Sequence, residues 1–177
     1  MDYTPGIFQL NNFRFKSPDN KVIDNAAIVP STITKELALY VIMYSPMQMA
    51  ADLPEHYLKH PQAFEFIKNV PVDWSSKIIL DSEIGSHLII ARKDKESENW
   101  YVGGITNENE KAVKIDFKFL SEGKRYSLNI VSDKDNTHWK DNPMDYKIIN
   151  QEINSNTLFE IKMAQGGGFA MEILLLE

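Results

Sequence analysis

Asp81 and Glu83 stand two residues apart in a stretch that alternates like a strand, which places both carboxylates on one side with roughly 6.6 Å of rise between them. Paired carboxylates at about that separation can flank a glycosidic bond, one as acid and the other as base. Two acids on the wet side of a strand edge give the same spacing with no chemistry, because Asp and Glu are rarely buried unpaired. Asp133, Asp135, Asn136 and Asp141 collect the oxygen donors that calcium takes, but Thr137 and His138 break the EF-hand spacing and no glycine supports its turn. A solvated hairpin loop accounts for them. His56 and His60 have the i,i+4 spacing of two metal ligands on one helix face, with Pro61 following at once as a surface helix boundary would have it. Gly166, Gly167 and Gly168 lack the Lys and Ser/Thr of a phosphate loop and read as a tight turn into a last strand. Trp100 and Trp139, with Tyr101 and Tyr146 beside them, offer amphipathic rings that suit a sugar face or a core.

The elements that must position these residues change period once along the chain. Ile33, Leu37, Tyr40, Val41 and Tyr44 recur at helical spacing, with Ser31 or Thr32 as the cap and Pro46 as the stop. Met47, Gln48, Met49, Ala50 and Ala51 predict a short buried strand that runs into a loop at Asp52. Residues 1–8 read as the end of a buried strand broken by Pro5 and Gly6, so that residues 1–53 are expected to run strand, helix, strand. A domain seldom starts inside its own core strand, and the chain is therefore expected to be the tail of a larger protein. Residues 54–59 and 61–69 each start with proline, a good first-turn residue, and predict two short helices.

From Trp74 onward the alternation is that of strands, predicted at residues 77–80, 87–92, 100–106, 112–120, 126–131, 146–153, 158–163 and 169–176. Val113, Ile115, Phe117 and Phe119 alternate with Lys114, Asp116 and Lys118, which gives one buried and one wet face. About eight short strands separated by polar turns make an antiparallel sandwich or barrel. The fold class is α+β.

Composition bounds the function. The 177 residues are 43% hydrophobic and 25% charged, a normal globular mixture. A net charge of -6 removes the basic surface that nucleic acid or an anionic membrane requires, so no nucleic-acid partner is expected. With no cysteine there is no disulfide, thiol nucleophile or thiolate metal site. No apolar run reaches the ~20 residues of a membrane span, and no signal peptide is visible.

Five blocks, in this order, resemble one known family: Met1-Asp2-Tyr3-Thr4-Pro5-Gly6; Ser31-Thr32 with Leu37-Ala38-Leu39-Tyr40-Val41; Tyr44-Ser45-Pro46-Met47-Gln48-Met49-Ala50-Ala51-Asp52; Trp100-Tyr101-Val102-Gly103-Gly104-Ile105-Thr106-Asn107; and Gly166-Gly167-Gly168-Phe169-Ala170. Together they look like the C-terminal third of glycoside hydrolase family 97. The resemblance implies an α-glucosidase or α-galactosidase with an N-terminal sandwich, a catalytic (β/α)8 barrel and a C-terminal β-domain, and with calcium near the site of the full-length enzyme. It places residues 1–72 at the end of the barrel and residues 73–177 in the C-terminal sandwich. It also implies a periplasmic or secreted location, an oligosaccharide substrate taken by the missing barrel portion, and a possible homo-oligomer. The family's catalytic carboxylates and calcium-binding glutamates lie upstream of the matched stretch, so no catalytic or metal residue carries over to this sequence. One departure is on the barrel helix, where Thr34-Lys35-Glu36 replaces the family's usual Ala-His-Gln.

Barrel active sites collect at the C-terminal ends of strands. Asp2, Tyr3, Thr4, Gln48 and Asp52 are therefore the substrate-proximal candidates, with loop hydrogen bonding and capping as the plainer role for each. The alternative to an enzyme's C-terminal part is a free-standing carbohydrate-binding or interaction sandwich that uses Trp100 and Trp139. The two readings part on the first 53 residues, where a piece of barrel is expected to leave apolar surface around Leu37, Tyr40, Val41, Met47 and Met49 unpaired.

Overall fold

The structure, a computed structural model, describes residues 4–11, 13–16, 18–19, 21–25 and 28–176. Strands β1 (Phe13–Lys16) and β2 (Val22–Asn25) pair in an antiparallel hairpin and precede three helices, α1 (Ile33–Ile42), α2 (Pro54–Tyr57) and α3 (Pro61–Asn69). Eight strands follow: β3 (Trp74–Glu83), β4 (His87–Asp94), β5 (Trp100–Thr106), β6 (Lys111–Asp116), β7 (Tyr126–Asp133), β8 (Tyr146–Ile153), β9 (Leu158–Met163) and β10 (Gly168–Leu175). Six of these form one antiparallel sheet in the order β3-β4-β5-β10-β7-β8, while β6 pairs with β9 in a separate ribbon. The molecule is mostly antiparallel sheet with few helices, and each strand expected after Trp74 is present.

Alternation along the strands decides which layer each side chain joins. Ile89, Ala91, Trp100, Val102, Leu128, Ile130, Phe169, Met171 and Ile173 point to the side covered by the β6–β9 ribbon, where they meet Val113, Ile115, Ile161 and Met163. Their neighbours Tyr101, Val131 and Ala170 point the other way, onto α1 and α3. The central strands β5 and β10 are thus buried on both faces and read as nearly unbroken apolar runs. Fully burying one such Leu, Ile or Phe contributes about 1.5–3 kcal/mol.

Helix α1 begins where Thr32 Oγ1 accepts the Lys35 N–H (3.2 Å), a side-chain cap for an otherwise orphaned donor. It crosses β5 and β10 and is buried on nearly every side, because residues 5–10 and the following helices cover the face turned from the sheet. Its first turn is held by Asp133 of β7. That carboxylate is 2% exposed and accepts from the hydroxyl of Thr34 and from the N–H groups of Ala164 (2.9 Å) and Gly168 (2.8 Å). Its last turn is held by Arg92 of β4, which donates from Nε to the Val41 carbonyl (2.5 Å) and from Nη2 to the Ile42 carbonyl (3.2 Å). Met43 ends the helix with extended dihedrals.

Three expectations about the first half are corrected. Residues 47–51 form no extended strand: Gln48 is an isolated bridge residue, the Ala51 N–H bonds the Pro5 carbonyl (3.1 Å), and Met47 and Met49 are exposed. Residues 4–10 also have no strand, whereas the β1–β2 hairpin, with Phe13 and Phe15 alternating against Arg14 and Lys16, was not among the expected elements. Leu37, Tyr40 and Val41 are buried rather than open, since the expected unpaired surface is occupied by Phe8, Leu10, Tyr57 and Phe66.

Two adjacent glycines in β5 let opposite layers approach the same strand. A Cβ at Gly103 would stand 2.6 Å from the Ala38 carbonyl oxygen and 3.0 Å from Val41 Cβ, and one at Gly104 would collide with the Phe169 ring. Gly103→Ala must therefore lift α1 off the sheet. It is expected to cost about 1–3 kcal/mol, read as a lower urea midpoint. Gly123→Asn, at an open left-handed turn position with φ +74, should leave the midpoint unchanged.

Candidate functional site

The candidate barrel rim is a hydrogen-bonded clamp around residues 5–9. Asp52 supplies its centre: Oδ2 accepts the Phe8 and Gln9 N–H groups, both at 2.7 Å, and Oδ1 accepts the Leu53 N–H at 2.8 Å and meets His56 Nδ1 at 2.5 Å. Burial pushes the Asp52 carboxyl upward, but hydrogen bonds from Gln9, His56, Leu53 and Phe8 outweigh it and hold the group below the usual carboxylate range. Gly6 is fixed from two helices, its N–H by Glu36 Oε2 (3.1 Å) and its carbonyl by the Tyr57 hydroxyl (2.8 Å). The Tyr40 hydroxyl lies 3.0 Å from the Pro5 carbonyl and 3.2 Å from that of Met49. Gln48 donates from Nε2 to the Tyr40 carbonyl (2.9 Å) and leaves Oε1 buried without a hydrogen-bond partner among the described residues.

The substrate-proximal candidates are therefore distributed as follows. Thr4 is exposed, Gln48 and Asp52 belong to the clamp, and Asp2 and Tyr3 lie outside the described residues. Asp52 and Glu36 are both committed to backbone N–H groups. Their carboxylates hold a loop in position. Beside the clamp, Met43, Tyr44, Met47, Met49, Leu53 and Leu58 leave a contiguous run of sequence with large apolar side chains in solvent, Met47 at 58% and Leu58 at 77%.

The remaining constellations resolve into structure. Asp81 and Glu83 are exposed and flank His87, with Asp81 Oδ2 3.1 Å from Nε2 and Glu83 Oε2 3.9 Å from Nδ1. The first contact is at ion-pair distance but lacks hydrogen-bond alignment, so Nε2 stays without a hydrogen-bond partner among the described residues. Asp133 is separated from Asp135, Asn136 and Asp141 by its burial, and among the described residues no group of three or more His, Asp and Glu is arranged to hold a metal. His56 is engaged by Asp52, while His60 packs against Phe8 and Tyr146. Trp100 is 7% exposed and sits on Phe119 in the sandwich core, with no ring face for a sugar. Trp139 packs over the Gly166 turn.

Two cations hold α1 to the sheet: Lys35, part of the departure from the family pattern, and Arg92, which the sequence also signals. Arg92 directly follows the apolar run Leu88-Ile89-Ile90-Ala91, where a charge in register with buried residues demands partners. Lys35 reaches the Thr106 carbonyl at 3.0 Å, and burial lowers its ammonium pKa although Glu36 and Asp133 pull the other way.

A family model described as the glycosyl-hydrolase 97 C-terminal, oligomerisation domain matches residues 73–174. The chain belongs to glycoside hydrolase family 97. A family 97 enzyme from Pseudoalteromonas sp. strain K8, solved in complex with acarbose, is 38% identical with a TM-score of 0.87, covering 98% of this chain and 26% of its own. A retaining alpha-galactosidase of Bacteroides thetaiotaomicron is 34% identical over 142 residues, which is 80% of this chain and 21% of that protein. A beta-arabinopyranosidase at 17% identity and a TM-score of 0.71 shares the fold. The chain thus spans about a fifth to a quarter of the family 97 relatives it matches.

The clamp yields a stability prediction with a definite sign. Because the folded-state pKa of Asp52 is depressed, its contribution is complete above the ordinary carboxylate pKa and is lost as pH falls through the depressed value. Asp52→Ala should cost about 1–3 kcal/mol at neutral pH by stranding the Phe8 and Gln9 donors. The gap to the parent chain should close on acidification below the ordinary carboxylate range, measured by urea midpoints of both proteins at matched pH.

Proposed function

We propose that this chain is the C-terminal part of a family 97 α-glycosidase acting on α-glucosidic or α-galactosidic bonds. In this reading residues 1–72 complete the catalytic barrel, and residues 73–177 form the β-domain that braces it and joins subunits. The observation that carries it is a structural match reaching 98% of the chain at a TM-score of 0.87. The likeness therefore extends through the helical prefix as well as the stretch matched by the family model.

Two features of the prefix support this. The exposed side chains from Met43 to Leu58 form a surface that a barrel would cover, and Gln48 Oε1, buried with no hydrogen-bond partner among the described residues, has room for a donor. The catalytic carboxylates are assigned to the part of a family 97 enzyme that this chain does not span, while Glu36 and Asp52 serve the clamp. Calcium, which the family resemblance implies for the full-length enzyme, is assigned in this reading to that same part.

The purified 177-residue chain is expected to release no nitrophenol from nitrophenyl α-galactoside or α-glucoside, and to self-associate through the uncovered face. Met47→Glu combined with Leu58→Glu should reduce that association in light scattering. Turnover by the chain alone overturns the proposal, as does a scattering signal that the double substitution leaves unchanged.

A further inference from the structure

Within residues 73–174, the stretch described by the family model as an oligomerisation domain, three of the four exposed large apolar side chains lie on one hairpin. Ile78, Ile79 and Ile84 all belong to β3 or to the turn that joins it to β4, whereas Leu158 stands apart on β9. Ile84 occupies the tip and is fully exposed.

The tip is built to hold its shape. Ser86 N–H returns to the Glu83 carbonyl (2.9 Å) and Gly85 takes φ +79, the left-handed residue of a three-residue hairpin loop. Asn107 then ties the turn to the end of β5: its side chain donates to the Gly85 carbonyl (2.7 Å) and its backbone N–H to the Ser86 carbonyl (2.8 Å). An isoleucine on a turn pinned from two strands loses little freedom when it is bound.

A hollow lies beside this knob. A concavity of about 540 Å³ is lined by residues 82–88 and 105–107, with Leu88 and Ile105 as its apolar floor. Both side chains point to the α1 side of the sheet, where they extend the small cluster of Ala38, Ile42 and Ile90.

We infer that a second copy of this chain docks here, related by a twofold axis, each Ile84 entering the hollow formed by Leu88 and Ile105 of the other. A knob and its hole on one patch are what an isologous interface needs, because a twofold rotation presents each to the other. The apolar centre is rimmed by Ser82, Ser86, Asn107 and Glu83, the usual distribution of a protein interface. Pairing of β3 edges is a poorer route, since register shifts at Ser76 and Asp81 and the charge of Lys77 spoil the ladder a partner strand would read. The inference rests on the reading of residues 73–177 as the subunit-joining domain and names the surface that does the joining.

The test uses the whole chain, which has no cysteine of its own. In sedimentation velocity the parent is the chain carrying Met47→Glu and Leu58→Glu, which removes association through the uncovered face; it should show a concentration-dependent dimer, Ile84→Glu should weaken that dimer by at least about tenfold in Kd, and Leu158→Glu should leave it intact. Mixing an Ile84→Cys chain with an Ile105→Cys chain under mild oxidation should give a covalent dimer that neither gives alone. A dimer that survives Ile84→Glu, or a mixture that fails to cross-link while both thiols react with a small reagent, overturns this interface alone. A parent chain that stays monomeric at every concentration overturns the subunit-joining reading together with it.

Discussion

The carboxylate of Asp133 and the guanidinium of Arg92 reach up from two strands of one sheet and grip opposite ends of α1. The signs match the helix: the negative group sits at the first turn, where N–H groups are unpaired, and the positive group at the last, where carbonyls are. Asp133 is the more demanding of the two, since burial raises its pKa while Thr34 and the Ala164 and Gly168 N–H groups work to keep it charged. A buried carboxylate held by two backbone donors fixes three elements relative to one another: α1, β7 and the turn that leads into β10. Gly167 of that turn follows from it, because a Cβ there would collide with the Asp133 carboxylate.

Once α1 is fixed, the clamp over residues 5–9 has something to hold. Glu36 and Tyr40 leave the side of α1 that faces away from the sheet and fasten Gly6 and Pro5, while Asp52 and Tyr57 close on the same segment from the other side. The family resemblance puts these residues in a barrel and the sandwich in another domain. The contacts tie them together: Tyr101 of β5 donates to the Asn69 carbonyl at 3.2 Å, and the rings of Phe66 and Trp74 pack edge-on to it. A domain that braces a barrel needs a stiff joint of this kind, and α1 belongs to both halves of it.

Much of this was legible in the residues. The strand half was, because alternation such as Val113, Ile115 and Phe117 against Lys114 and Asp116 reports a half-buried strand directly, and the Thr32 cap announced α1. The prefix was less so. Met47 to Ala51 has the composition of a buried strand, but burial depends on a neighbour, and periodicity cannot see whether one is there. Residues 5–9 are ordered by side chains 30 to 51 positions away, which no local window contains; among them Asp52 takes the plainer of its two expected roles and caps a distant loop. Lys35 and Glu36 were visible as a departure from the family pattern, and the structure gives each a partner that the pattern alone did not suggest.

The exposed apolar surface divides into two kinds with different physical origins. Along residues 43–58 it lies in irregular chain and short helix, with methionines whose flexible side chains conform to whatever covers them. At the β3–β4 turn it is the reverse: β-branched isoleucines on a hydrogen-bonded hairpin, stiff in backbone and side chain alike. A surface meant to be covered permanently by its own chain can be soft, because covering it costs no translational freedom. A surface that must find a separate molecule gains from rigidity, since each torsion already fixed is entropy not lost on association. The distribution of Met and Ile over the two surfaces follows that difference.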